Sequence, residues 1–284
     1  MSLRPTTRGP SRASARTGGG RVLLVGAGPG DPELLTLKAA RAIGEADVIL
    51  IDDLVNRAVL EHARDDVRVV AVGKRGGCAS TSQTFIERLM VSEAQAGRTV
   101  VRLKGGDPFL FGRGGEELSR LRKAGIAVEV IPGITSGLAA PMAAGVSVTH
   151  RDHSPGVIFV TGHEKDETNV RIDWALLARS GLTLVVYMGV ANAARIQQRL
   201  IDGGLRAGTP VAAIQNATLP SQRIAVGTLA TLAETLTRES IASPAILVIG
   251  EAARAASAHA AEWAASIADS AAPPVSSRQA ARAG

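Results

Sequence analysis

Five glycines fall close to Lys104, Asp107, Arg113 and Glu116 in the run Leu103-Lys104-Gly105-Gly106-Asp107-Pro108-Phe109-Leu110-Phe111-Gly112-Arg113-Gly114-Gly115-Glu116-Glu117. Glycine lets backbone approach a ligand closely, and the carboxylates and guanidinium supply charge for orienting it. The run follows Thr99-Val100-Val101-Arg102, which reads as a buried strand, and precedes a helical pattern from Glu116 to Lys123. A loop at the carboxyl end of a parallel strand is where open α/β sheets bind ligands.

A second glycine loop, Gly26-Ala27-Gly28-Pro29-Gly30-Asp31-Pro32, follows the apolar run Val22 to Val25. A dinucleotide fingerprint needs G-x-G-x-x-G running into a helix whose first N–H groups receive pyrophosphate. Here Asp31 stands at the last glycine position and Pro29 has no N–H to donate. Asp52 ends the next strand about where such a fold places its ribose acid, but a dinucleotide-dependent oxidoreductase is disfavoured. The acidic loop suits a ligand that carries positive charge and no phosphate.

The elements that hold these loops alternate along the chain. Strands are expected at Val22 to Val25, Val48 to Ile51, Val67 to Val72, Thr99 to Leu103 and Val128 to Ile131, with helices around 34–46, 55–63, 82–96 and 114–124. This is a parallel α/β domain over 21–133. A small-residue helix, Thr135 to Ala144, opens a second α/β domain over 134–252. Its strands are expected at Val157 to Thr161, Leu182 to Met188, Pro210 to Gln215, Ile224 to Val226 and Ala245 to Ile249. Only a short link joins Gln215 to Arg223, so that pair should be an antiparallel hairpin. The ligand cleft is expected between the domains. Residues 1–20 read as a disordered tail. The alanine-rich segment 253–284 reads as partly helical before Pro273-Pro274 and disordered beyond.

The net charge of +6 and pI near 10.2 suggest nucleic acid until they are located. Arg4, Arg8, Arg12 and Arg16 face no acid in the first twenty residues. Arg254, Arg278 and Arg282 face only Glu262 and Asp269 in the last stretch, which leaves the body between the tails nearly neutral. A nucleic-acid-binding fold is not indicated. The one cysteine, Cys78, permits no internal disulfide and no multi-cysteine metal site, consistent with a cytoplasmic setting. No apolar run reaches the roughly 18 residues of a membrane span.

Taken together, the two glycine loops, Pro132-Gly133-Ile134-Thr135-Ser136, Val148-Thr149-His150-Arg151, Thr161-Gly162-His163 and Tyr187-Met188 resemble, in order, the tetrapyrrole methylases. The likeness covers about residues 21 to 252, and one departure is Pro141-Met142-Ala143-Ala144-Gly145, where the family commonly has Pro-Ala-Tyr-Ala-Gly. The resemblance implies two α/β domains of the tetrapyrrole methylase kind rather than a classical Rossmann methyltransferase. It further implies S-adenosylmethionine as methyl donor, no metal, and two methylations of uroporphyrinogen III through precorrin-1 to precorrin-2, which feeds sirohaem, cobalamin or haem d1 synthesis. A methylase of a later corrinoid precursor is the alternative within the family. No segment resembles the dehydrogenase and ferrochelatase region of multifunctional sirohaem synthases, so precorrin-2 is the expected end product. A homodimer is expected from the family.

The resemblance also implies the site. Pro29, Gly105, Gly106, Asp107, Leu110, Thr135, Ser136, Met188, Ala217 and Ala245 match donor-binding positions. The substrate's eight carboxylates call for cations, so Arg113 and Arg151 are substrate-binding candidates together with His163 and Tyr187, and Lys74 and Arg75 are weaker ones. The sulfonium methyl is already electrophilic and a pyrrole carbon is the nucleophile. The site must therefore align the two, exclude water and take up a proton. Arg113 is expected to clamp a substrate carboxylate, because a guanidinium is rarely neutral. The proton acceptor is then Glu116, Asp52 or a substrate carboxylate.

Overall fold

The computed structural model describes residues 19–73, 82–163 and 172–256. Lys74, Arg75, Cys78, residues 1–18 and the tail beyond Ala256 lie outside them. The first sheet is built from β1 (Arg21–Gly26), β2 (Val48–Ile51), β3 (Arg68–Ala71), β4 (Thr99–Lys104) and β5 (Ala127–Ile131). All pairs are parallel, in the order β3-β2-β4-β1-β5. The helices between them are α1 (Leu37–Gly44), α2 (Gln83–Gln95) and α3 (Gly114–Lys123).

Period-two alternation sends the strands' side chains to two apolar layers. Leu23, Val25, Ile49, Ile51, Val101 and Leu103 pack on α1 through Ala39, Ala42 and Ile43. Val22, Leu24, Val48, Leu50 and Val100 pack on the other face against Ile86, Met90 and Ala94 of α2 and Leu121 of α3. Both faces are covered, so these strands read as continuous apolar runs. The expected helix over 34–46 divides: Asp31 caps a 3-10 turn at Pro32–Leu34, and Thr36 caps α1 through a hydrogen bond from the N–H of Ala39. The segment around 55–63 is a 3-10 helix, Arg57–His62, rather than an α-helix.

The second sheet follows α4 (Ser136–Ala143). It contains β6 (Val157–Thr161), β7 (Thr183–Tyr187), β8 (Pro210–Gln215), β9 (Arg223–Thr228) and β10 (Ala245–Ile249), with α5 (Trp174–Ala178), α6 (Ala193–Asp202) and α7 (Leu232–Arg238). Its order is β6-β7-β10-β8-β9. Only β6 and β7 run parallel. The hairpin β8–β9 is antiparallel, with Gln215 opposite Arg223, and β10 inserts antiparallel to both β7 and β8. One face packs on α6 and α7. The other packs on Ala140 and Ala144 of the α4 region and on Leu110 of the Leu103–Glu117 glycine loop, which joins the two sheets. Among the described residues no helix is long and apolar enough to cross a membrane.

Glu93 near the end of α2 is 7% exposed and accepts hydrogen bonds from Arg68 of β3 and Arg98 just before β4. Burial raises its pKa, but the two arginines outweigh that and leave it below its ordinary 4.5. A depressed carboxylate contributes stability that is complete above its unfolded pKa and lost as pH falls through the folded one. Glu93→Gln should therefore cost about 1 kcal/mol at pH 7, since both arginines are half-exposed and screened by water. The gap between wild type and variant in urea midpoint should shrink as pH drops below 4.5. A gap that stays constant with pH contradicts the assignment.

Candidate active site

In the first sheet β1 connects toward β2 on one side and β4 toward β5 on the other, so the strand order reverses between the neighbours β1 and β4. A crevice opens at the carboxyl ends of strands at such a switch point. The two glycine loops follow these two strands and are hydrogen-bonded to each other. Ala27 N–H donates to the Lys104 carbonyl at 2.7 Å, Gly106 N–H to the Gly28 carbonyl at 2.7 Å, and Gly28 N–H to the Gly106 carbonyl at 3.2 Å. Gly28 and Gly106 have φ of +75° and +66°, in the left-handed region. A third turn joins them, because a Cβ on Gly133 would lie 2.2 Å from the Gly106 carbonyl oxygen and 2.8 Å from Gly26 Cα. Asp107 locks the junction: its Oδ1 accepts from Phe109 N–H at 2.8 Å and its Oδ2 from Gly133 N–H at 3.1 Å.

A cavity of about 460 Å³ opens on this junction. Pro29, Gly105, Gly106, Asp107 and Leu110 come to it from the two loops, Thr135 and Ser136 from the start of α4, and Tyr187 and Met188 from the end of β7. Asp52 and Arg113 also line it. A neighbouring cavity of about 390 Å³ shares Pro29, Ser136, Tyr187 and Met188 and extends to Ala217 and Ala245. All ten donor-binding candidates thus border one continuous region. Arg151 is exposed in the turn His150–Ser154, and His163 is exposed beyond β6; neither borders these cavities.

Several side chains have local duties that their sequence context did not show. The Asp31 carboxylate accepts from Glu33 N–H at 2.9 Å, and it borders neither cavity. Its work is to cap the 3-10 turn rather than to meet a cation. The Tyr187 hydroxyl pairs with Thr135 Oγ1 at 2.6 Å and accepts from Gly137 N–H at 2.6 Å. Its ring sits 4.8 Å from that of Phe111. Burial pushes the phenol pKa up against the opposing effect of these hydrogen bonds. Arg113 is left-handed, with φ of +59°, and its guanidinium meets Glu116. That hydrogen bond raises its pKa above an already high value, so it is a permanent cation.

The floor of the larger cavity holds charges that sequence reasoning missed. Arg102 and Lys104 of β4 are 2% and 4% exposed, and Glu117 of α3 is fully buried. Arg102 Nη2 donates to Asp52 Oδ1 at 2.6 Å and its Nε to Glu117 Oε1 at 3.2 Å. Lys104 Nζ lies 3.3 Å from Glu117 Oε1 and 3.7 Å from Asp52 Oδ2. Burial, followed by the Arg102 charge, pulls the Lys104 pKa below its usual value, and Glu117 and Asp52 oppose the shift. The available signal was two cations on either side of Leu103, at alternate positions of a strand that follows the apolar pair Val100-Val101.

Comparison with known proteins agrees with this architecture. A family model described as tetrapyrrole (corrin/porphyrin) methylases matches residues 21–233. A uroporphyrinogen-III C-methyltransferase of Pseudomonas aeruginosa is 56% identical over 235 residues, covering 83% of this chain and 95% of that protein. A siroheme synthase of Zymomonas mobilis is 51% identical over 232 residues, 82% of this chain but 49% of that protein. The crystal structure of uroporphyrin-III C-methyl transferase from Thermus thermophilus complexed with S-adenyl homocysteine superposes with a TM-score of 0.70 at 41% identity. It covers 82% of this chain and 93% of that one. This chain belongs to the tetrapyrrole methylases.

Proposed function

We propose that the chain is an S-adenosylmethionine-dependent C-methyltransferase that methylates uroporphyrinogen III twice, through precorrin-1, to precorrin-2. The observation that carries this reading is the cradle made by the two hydrogen-bonded glycine loops at the switch point. It presents main-chain polar groups and the Asp107 carboxylate, while the place a pyrophosphate would need is taken by the Asp31 cap. The cradle is narrow at Gly105, where a Cβ would stand 3.2 Å from Leu54 Cβ. The relatives' names and the S-adenyl homocysteine in the Thermus complex support the same chemistry.

When bound, the donor supplies an electrophilic methyl on a sulfonium. The chain holds it with Pro29, Gly105, Gly106, Asp107, Thr135 and Ser136, while Leu110, Met188, Ala217 and Ala245 exclude water. Arg113 clamps a carboxylate of the substrate, and Asp52, facing the cavity, accepts the proton released after the new carbon–carbon bond forms. Tyr187 fixes the start of α4 through Thr135 and Gly137. Arg151 and His163 can meet substrate only at the periphery. Residues 21–133 and 134–252 act as two domains around the cleft, in a cytoplasmic protein with no nucleic-acid partner. The chain works as a homodimer, a reading supported by exposed Leu54, Phe109, Leu138 and Met142 on and beside cavity-lining segments.

Calorimetry should detect saturable binding of S-adenosylhomocysteine and none of NAD, and anaerobic turnover of uroporphyrinogen III should add two methyl groups per macrocycle. NAD binding without a response to the donor product contradicts the reading. Asp107→Ala, which removes the carboxylate's ties to Phe109 and Gly133, should weaken S-adenosylhomocysteine about tenfold. Arg113→Ala should instead lower turnover ten- to a hundredfold with donor binding near wild type, and Arg113→Lys should keep part of the activity. The reverse pattern would show that the roles assigned to Asp107 and Arg113 are exchanged. Sedimentation at micromolar concentration should give twice the 29.2 kDa chain mass; a single-chain mass excludes the dimer.

A further inference from the structure

Arg102 presents an energetic puzzle. It lies in β4 between β2 and β1, on the face shared with Val100 and covered by α2 and α3, where burying an unpaired guanidinium costs several kcal/mol. Its donors are accordingly assigned. Nε goes to Glu117 Oε1 and Nη2 to Asp52 Oδ1, while Nη1 lies 3.4 Å from both the Leu50 and Leu103 carbonyls. Glu117 Oε1 also accepts from Gln83 Nε2 at 3.0 Å and from Lys104, while its buried Oε2 has no hydrogen-bond partner among the described residues. Stability alone does not favour such a cluster, because an apolar set of equal volume is commonly as stable or more so.

What the cluster delivers is one carboxylate in a fixed pose. Asp52 is the member that reaches furthest into the open, with its side chain 28% exposed against 5% or less for Arg102, Lys104 and Glu117. One of its oxygens is taken by Arg102 at 2.6 Å, while the other, 3.7 Å from Lys104, is only loosely engaged. The guanidinium cannot swing, since Glu117 grips its Nε from the first turn of α3 and Gln83 steadies Glu117 from the start of α2.

We propose that Arg102, held by Glu117, is the positioning residue for Asp52: it fixes which carboxylate oxygen is available to take the substrate's proton. This rests on the reading of Asp52 as proton acceptor. Lysine at position 102 keeps the charge but loses the planar fork that serves two carboxylates at once.

The test is anaerobic steady-state kinetics of the full chain with uroporphyrinogen III and S-adenosylmethionine, alongside calorimetry with S-adenosylhomocysteine. Asp52→Asn alone should lower kcat by about a hundredfold. Arg102→Lys should lower kcat about tenfold while KM and donor-product affinity stay within about twofold, the signature of a lost transition-state role. In the Asp52→Asn background Arg102→Lys should cost nothing more, because its effect runs through that carboxylate. Losses that multiply in the double variant, or donor affinity falling in step with kcat, overturn the proposal in favour of a structural role. Wild-type kcat in Asp52→Asn overturns the proton-acceptor reading itself and the proposal with it, and that result is visible without any Arg102 variant. Should Arg102→Lys fail to fold by circular dichroism, Glu117→Gln, a neutral isostere outside the cavity lining, is judged by the same criteria.

Discussion

Three turns of main chain meet without side chains at Gly26, Gly106 and Gly133, and the rest of the site depends on that contact. Any Cβ on Gly26 or Gly133 would enter backbone atoms at well under 3 Å. Because nothing separates them, the ends of β1, β4 and β5 converge and the two glycine loops can hydrogen-bond to each other. The Asp107 carboxylate then spans from its own loop to Gly133. A junction made of backbone is stiff, and a stiff junction holds a ligand cradle in place before the ligand arrives.

Beside this backbone junction lies a buried charge cluster, two cations and two carboxylates on the α2/α3 face of the sheet. Charge balance makes burial tolerable, and the helices supply the partners: Glu117 lies in the first turn of α3 and Gln83 opens α2. Fold and chemistry are coupled here. The helices that close the apolar layer through Met90 and Leu121 also orient the polar group that faces the cavity.

The strands were legible as short, largely apolar runs bounded by turn residues, and Val48–Ile51, Val157–Thr161, Pro210–Gln215 and Ala245–Ile249 coincide with the expected limits. The short link between Gln215 and Arg223 revealed the hairpin. The place of β10 between β7 and β8 was not legible, since strand pairing at long sequence separation leaves no local signal. Capping residues also misled: Asp31 looked like a cation receptor and serves a backbone N–H, while Thr36 starts α1 later than periodicity suggested. The partners of Arg102 and Lys104 escaped notice because alternation assigns these side chains a face but not a partner. Glu117 read as one more polar helix residue, and only the packing shows that it is fully buried.

The central claim is that the methyl donor sits on the glycine junction at the β1/β4 switch point. A crystal structure of this chain with S-adenosylhomocysteine tests it most directly. The account predicts the ligand against Gly105, Gly106 and Asp107 on one side and Ala217 and Ala245 on the other, with Thr135 and Ser136 between and the Asp52 carboxylate left open to the remaining cavity. Ligand density elsewhere, such as in the smaller cavity beside Thr183 and Arg206 at the opposite end of β7, would contradict it.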